Sequence, residues 1–184
     1  SLFYYDYKDK QELQFFPPNA QFPNGGWQLI NAANATSYGA ELEIQAKVSK
    51  SVRIDTSLSY LNAKYGTFIV RYVQFPALGF QDLAGNKLPL APEMKFNFGA
   101  QYNVPLGSNS GELMFRGDFS WTGEQFGNAL NRDGRNLPAT GDQIPEYSLI
   151  NGRIQWTSSN EKMQVALFVR NLLDKYAISN SFVN

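Results

Sequence analysis

The chain has 184 residues, enough for a substantial core, and 16 basic residues balance 16 acidic ones for zero net charge. A neutral balance argues against a nucleic-acid binder, which needs a basic excess. The absence of both Cys and His excludes a disulfide framework, a thiolate metal site and a Ser-His-Asp triad. Aromatic residues make up 15%, a composition that suits β-structure and oil–water boundaries. No apolar run approaches the ~20 residues of a membrane helix. Mean hydropathy is low, as it would also be for a membrane barrel, whose strands are apolar on one face only.

The pattern along the chain has period two. Residues 1–15 form a less regular strand. In 38–48, Tyr38, Ala40, Leu42, Ile44, Ala46 and Val48 alternate with Gly39, Glu41, Glu43, Gln45 and Lys47. From 52, Val52, Ile54, Leu58 and Tyr60 oppose Arg53, Asp55, Ser57 and Ser59. In 93–104, Met94, Phe96, Phe98, Ala100, Tyr102 and Val104 oppose Lys95, Asn97, Gly99 and Gln101. In 113–121, Leu113, Phe115, Gly117, Phe119 and Trp121 oppose Arg116, Asp118 and Ser120. Ile150, Ile154 and Trp156 then oppose Asn151, Arg153 and Gln155; Met163, Val165, Leu167 and Val169 oppose Gln164 and Arg170. Strands of roughly 10–14 residues exceed the ordinary ~5–6 and match the ~9–11 that cross a bilayer at a tilt.

Connections alternate between long (16–35, 66–92, 124–146) and short (49–51, 105–111, 158–161). Outer-membrane barrels have that asymmetry, with short periplasmic turns and long outer loops. Tyr38, Tyr60, Tyr65, Trp121 and Trp156 sit where girdle aromatics would. The expected fold is all-β: an antiparallel meander of roughly seven or eight long strands forming part of a large transmembrane barrel. Glu41, Glu43, Lys47, Lys95, Arg116, Asp118, Arg153 and Arg170 would face a wide, wet or plugged lumen. A soluble glycan-binding β-sandwich remains the other reading of the alternation. A plain diffusion porin shares the wall. The Glu41/Glu43 pair could suggest carboxylate catalysis, but two-residue spacing on a strand is also simply the inward period.

Three motifs resemble TonB-dependent outer-membrane receptors. Ser37, Gly39, Glu41 and Glu43 fit an S-x-G-x-E-x-E strand. Leu88-Pro89-Leu90-Ala91-Pro92 resembles the LPxxP element before a later strand. Asn171, Leu172, Asp174 and Tyr176 resemble the NLxDxxY element near the C-terminus, here expected to be a turn capping the penultimate strand. Their order implies the C-terminal portion of the barrel over 1–184, with the plug domain and final strand absent. The resemblance further implies an outer-membrane location in a Gram-negative bacterium. It implies energy supplied by TonB through the plug, and a scarce nutrient as ligand: most often a ferric siderophore, in relatives cobalamin, haem or a glycan. It implies no enzyme activity and no cofactor. Within the long loops, Tyr72 and Phe80 are candidates for stacking on a ligand, and Arg132 and Arg135 for gripping an anionic one.

Overall fold

The computed structural model describes residues 1–16, 23–71, 79–131 and 142–178. The strands are β1 (Leu2–Phe16), β2 (Gly26–Lys47), β3 (Val52–Tyr65), β4 (Ile69–Arg71), β5 (Phe80–Asp82), β6 (Met94–Pro105), β7 (Glu112–Thr122), β8 (Gln125–Phe126), β9 (Gln143–Ile144), β10 (Tyr147–Thr157) and β11 (Gln164–Val169). Seven of them form one sheet in the order β1-β2-β3-β6-β7-β10-β11, every pair antiparallel. β4-β5 and β8-β9 are small two-stranded ladders within the long loops.

Directly opposed residues of antiparallel strands share a face. The registers therefore trace continuous rows across the sheet. One runs Ile54, Ala100, Gly117, Gly152, Val169; the next, on the other face, runs Arg53, Gln101, Arg116, Arg153, Phe168. Among the described residues no second sheet stacks on the apolar face, so it stays bare: Leu42, Ile44, Phe98, Tyr102, Ile154, Val165 and Leu167 are all exposed. A sandwich would cover these side chains with a facing sheet; among the described residues there is none.

The polarity of the wall inverts along β3. Outward-facing Val52, Ile54, Thr56, Leu58 and Tyr60 give way to Asn62 and Lys64. Inward-facing Arg53, Asp55, Ser57 and Ser59 give way to Leu61, Ala63 and Tyr65, the last two buried. Below this boundary the outward face is apolar and the inward face polar; above it the outward face is polar and the inward face is buried under the loops. The outward apolar stretch from Val52 to Tyr60 is roughly 27 Å long at ~3.4 Å per residue, enough for a tilted strand to cross most of a ~25 Å apolar band.

Two sequence expectations need correction. The connection expected at 16–35 is mostly strand: β1 and β2 stay paired up to Phe16–Gly26. This part of the hairpin rises past the Ala35–Tyr65 pair, above the polarity boundary, and its sequence carries no period-two signal. Tyr65 is not a girdle residue. It sits on the inward face, is 2% exposed, and packs with Phe68, Val70, Leu83 and Leu130. Tyr38 and Tyr60 do lie on the outward face near the boundary, with Tyr38 stacked on Tyr4 at 6.4 Å between ring centres.

Candidate functional site

Two regions carry side chains that could meet a ligand: the inward face of the wall and the loop platform above it.

On the inward face, Glu41 lies in one row with Ser59 and Lys95, and Glu43 in the next with Ser57 and Asn97. Glu41 accepts a hydrogen bond from Ser1 Oγ at 3.1 Å, and Glu43 one from Gln45 Nε2 at 3.2 Å. Neither carboxylate faces the other across a gap as a glycosidase pair would; both point the same way along one strand. Arg116 reaches across β6 to Asp55 on β3, at 2.9 and 3.1 Å, and also holds Asp118 on its own strand at 2.6 and 3.2 Å. Gly99 lies beneath the guanidinium. A Cβ there would collide with the Asp55 carboxylate and the Arg116 guanidinium, so the absent side chain makes the three-strand clip possible. Arg153 donates to Gln155 Oε1. Arg170 stands 5.8 Å from the ring centre of Phe168, which fixes it on the same face. The eight charged residues expected to face the lumen, Lys47 and Asp118 included, share one side of the sheet.

The motif residues have local physical reasons. A Cβ on Gly39 would strike the backbone carbonyl of Tyr60 and the ring of Phe3, its partner on β1. The ring lies over the glycine in the space a side chain would fill. Ser37 pairs with Tyr5 on one side and Ala63 on the other. Asn171 takes a positive φ of 51° and clamps the turn with its side chain: Nδ2 donates to Lys175 O and Oδ1 accepts from Lys175 N, both at 2.9 Å. Asp174 also has positive φ and donates its N–H to Asn171 O, and Leu172 N–H binds Ile150 O. These bonds make the segment a turn that ties the end of β11 to β10. Leu172 and Tyr176 are exposed.

The two long loops form one platform. Asn86 Nδ2 donates to the carbonyls of Ala129 and Leu130 at 2.9 and 3.1 Å. In return, Asn131 Oδ1 accepts from Lys87 N at 2.6 Å while its Nδ2 donates to Lys87 O and Asn128 O. The Leu88-Pro89-Leu90-Ala91-Pro92 segment is a strap over β3. Leu88 N–H binds Ala63 O, and Leu90, at φ 55°, donates to Phe126 O on the other loop. Lys87 pairs with Glu93 at 3.3 Å. Of the candidate ligand residues, Phe80 projects from β5 and is 72% exposed; Tyr72, Arg132 and Arg135 lie outside the described residues. Among the described residues no group of three or more acidic side chains is placed to hold a metal.

The sequence reading overlooked one inward-facing feature. Phe3, Tyr5 and Tyr7 stack up β1 with ring centres 5.7 and 6.0 Å apart. The signal was present as aromatic residues at odd positions, obscured by Tyr4 between them.

The family described as TonB dependent receptor-like, beta-barrel, matches residues 1–172. Among solved structures, the ferric yersiniabactin uptake receptor FyuA from Yersinia pestis superposes with a TM-score of 0.72 at 18% identity, covering 100% of this chain and 23% of that one. The siderophore receptor PiuA from Acinetobacter baumannii gives 0.69 at 15% identity, covering 99% of this chain and 22% of that one. BauA, the ferric preacinetobactin receptor from Acinetobacter baumannii, gives 0.59 at 15% identity over 90% of this chain and 22% of that one. The chain therefore spans less than a quarter of the receptors it resembles. A meander of long strands with one bare apolar face, one ionic face and long interlocked loops at a single rim agrees with this match, and the chain belongs to the TonB-dependent receptor β-barrel family, whose members are outer-membrane receptors and not enzymes.

Proposed function

We propose that this chain is barrel wall and outer binding surface from a receptor that actively imports a ferric siderophore. TonB would work through the plug that family members carry, and 1–184 would be a late portion of the barrel. The observation that carries the reading is the division of the wall: an ionic inward face below the boundary and a hydrogen-bonded loop platform roofing it above. A passive porin needs an open aqueous mouth; loops locked together over the inward face suit a gated receptor better. The names of the similar receptors supply the cargo class, since each is a receptor for a siderophore or its ferric complex. Tyr72, Phe80, Arg132 and Arg135 are proposed contacts of the outer surface, by stacking and by charge-assisted hydrogen bonds.

The test is uptake of radiolabelled ferric complexes by iron-starved cells carrying or lacking the intact receptor, with and without a protonophore. Receptor-dependent uptake abolished by the protonophore supports the proposal. Uptake indifferent to the protonophore would make the protein a passive channel.

A further inference from the structure

We infer that residues 83–90 of one long loop and 126–131 of the other stay joined to each other and to the wall throughout transport, as a fixed part of the rim; this rests on the uptake reading above. Two kinds of motion could open the platform, and each meets a separate set of bonds. If the loops parted from each other, Asn86 would lose the carbonyls of Ala129 and Leu130, and Asn131 would lose the N–H and carbonyl of Lys87. The bond from Leu90 N–H to Phe126 O, at 2.8 Å, would break as well. Leu130, the member that comes from the second loop, would leave the buried cluster it forms with Tyr65, Phe68, Val70 and Leu83.

If instead the loops swung away together, they would have to leave β3. The N–H of Tyr65 donates to Asn86 O, and its carbonyl accepts from Gly85 N–H, both at 2.9 Å. Leu88 N–H donates to Ala63 O at 3.0 Å, and between these bonds Lys64 and Lys87 form an antiparallel bridge. The returning limb of the first loop thus occupies, beside the end of β3, the place that β6 holds lower down from the Tyr60–Met94 pair. It lengthens the wall. Ala63 and Tyr65 are buried, so breaking these backbone bonds leaves donors and acceptors without water to replace the partner. Pro89 and Pro92 fix φ twice between this limb and β6. Segments that open readily have few buried contacts and solvent-exposed backbone bonds; this rim has the opposite on both counts. Any opening or closing over the inward face then falls to other parts of the receptor, which move against this rim.

The experiment places the pair Asn86→Cys/Ala129→Cys in the intact receptor; this chain has no cysteine of its own. A short bis-maleimide with a reducible bridge joins the two loops, and peptide mass spectrometry verifies the link. Heat-modifiable gel mobility reports the barrel, and cells are assayed with the radiolabelled ferric complexes of the uptake test above. The linked receptor should import iron as fast as the unlinked pair, which lacks the Asn86 bonds equally. A fall of about tenfold on linking, as a rate-setting lid would show, reversed by reduction and absent from both single-cysteine controls, would overturn the inference and leave the uptake reading standing. A pair that does not link in the resting receptor would overturn it too, since Asn86 would then not lie against Ala129. Amide exchange in the wild-type receptor supplies a second measurement, free of substitutions. Residues 83–90 and 126–131 should exchange equally slowly before and after the ferric complexes are added; faster exchange on their addition would overturn the inference. Iron uptake that is the same with and without the receptor would instead remove the uptake reading, and the inference with it.

Discussion

Replacing Gly99 with Ala should destabilise the barrel, although Gly→Ala in a strand ordinarily helps. The ordinary gain is roughly 0.4–1 kcal/mol, because alanine has fewer unfolded conformations to lose. At position 99 the new Cβ occupies the space through which Arg116 reaches Asp55. The guanidinium must withdraw, and it loses the two bonds to Asp55 at 2.9 and 3.1 Å. The side chains involved are about one-third exposed, so the ion pair is partly solvated and its worth sits well below that of a buried one. Two charge-assisted bonds in that setting contribute about 1–3 kcal/mol, which outweighs the entropic gain. Gly99→Ala should therefore cost about 1–2 kcal/mol in urea titration of the intact receptor in detergent or lipid. The decisive measurement is a double-mutant cycle with Arg116→Met. Once Arg116 is gone the Cβ has less to displace, so Gly99→Ala should become neutral or stabilising, a coupling of at least about 1 kcal/mol. Additive effects would show that the glycine has no connection with the clip and would refute the reasoning.

Leu167→Arg, placing a charge on the outward face where Leu167 is 76% exposed, should lower folding stability in lipid by ~2–4 kcal/mol if mid-bilayer. Phe168→Arg, one residue on and facing inward beside Arg153, should cost far less; equal costs would mean the faces are misassigned. Single cysteines at 164 and 166 in the full receptor should react with a water-soluble maleimide when the lumen is accessible, and those at 165 and 167 should stay protected by lipid. Asn131→Ala removes bonds that join the two long loops; it should speed amide exchange in residues 83–90 as well as in its own loop, whereas exchange confined to one loop would show that the platform is not a unit. Asn171→Gly keeps the positive φ but loses both side-chain bonds to Lys175, and should cost about 1–2 kcal/mol of barrel stability by the same urea titration.

Chain pattern alone determined the wall. Alternation of period two, sustained beyond the length of a globular strand, sorted the side chains of the long strands between 38 and 169 onto two faces, because an apolar exterior and a polar interior impose opposite demands on neighbouring residues. The short turns also declared themselves; Ser49, for example, closes its turn by accepting from the N–H groups of Ser51 and Val52. Where those opposed demands ceased, local pattern failed. The upper half of the β1–β2 hairpin lies above the polarity boundary and read as loop, and Tyr65, at a strand end, read as a girdle residue when the folded loops bury it. The glycines were visible, one of them in a motif, but the reasons for a bare Cα were not: Gly39 lies under the Phe3 ring and Gly99 under the Arg116 guanidinium. These depend on partners 36 and 17 residues away in sequence, brought close only by strand register. The same holds for the platform of Asn86 and Asn131 and for Lys10, which a slip in the β1–β2 register turns toward Tyr65. Binary pattern decides which side of a sheet a residue faces; which residue it meets there is set by register, bulges and loop return, and those exist only in the tertiary structure.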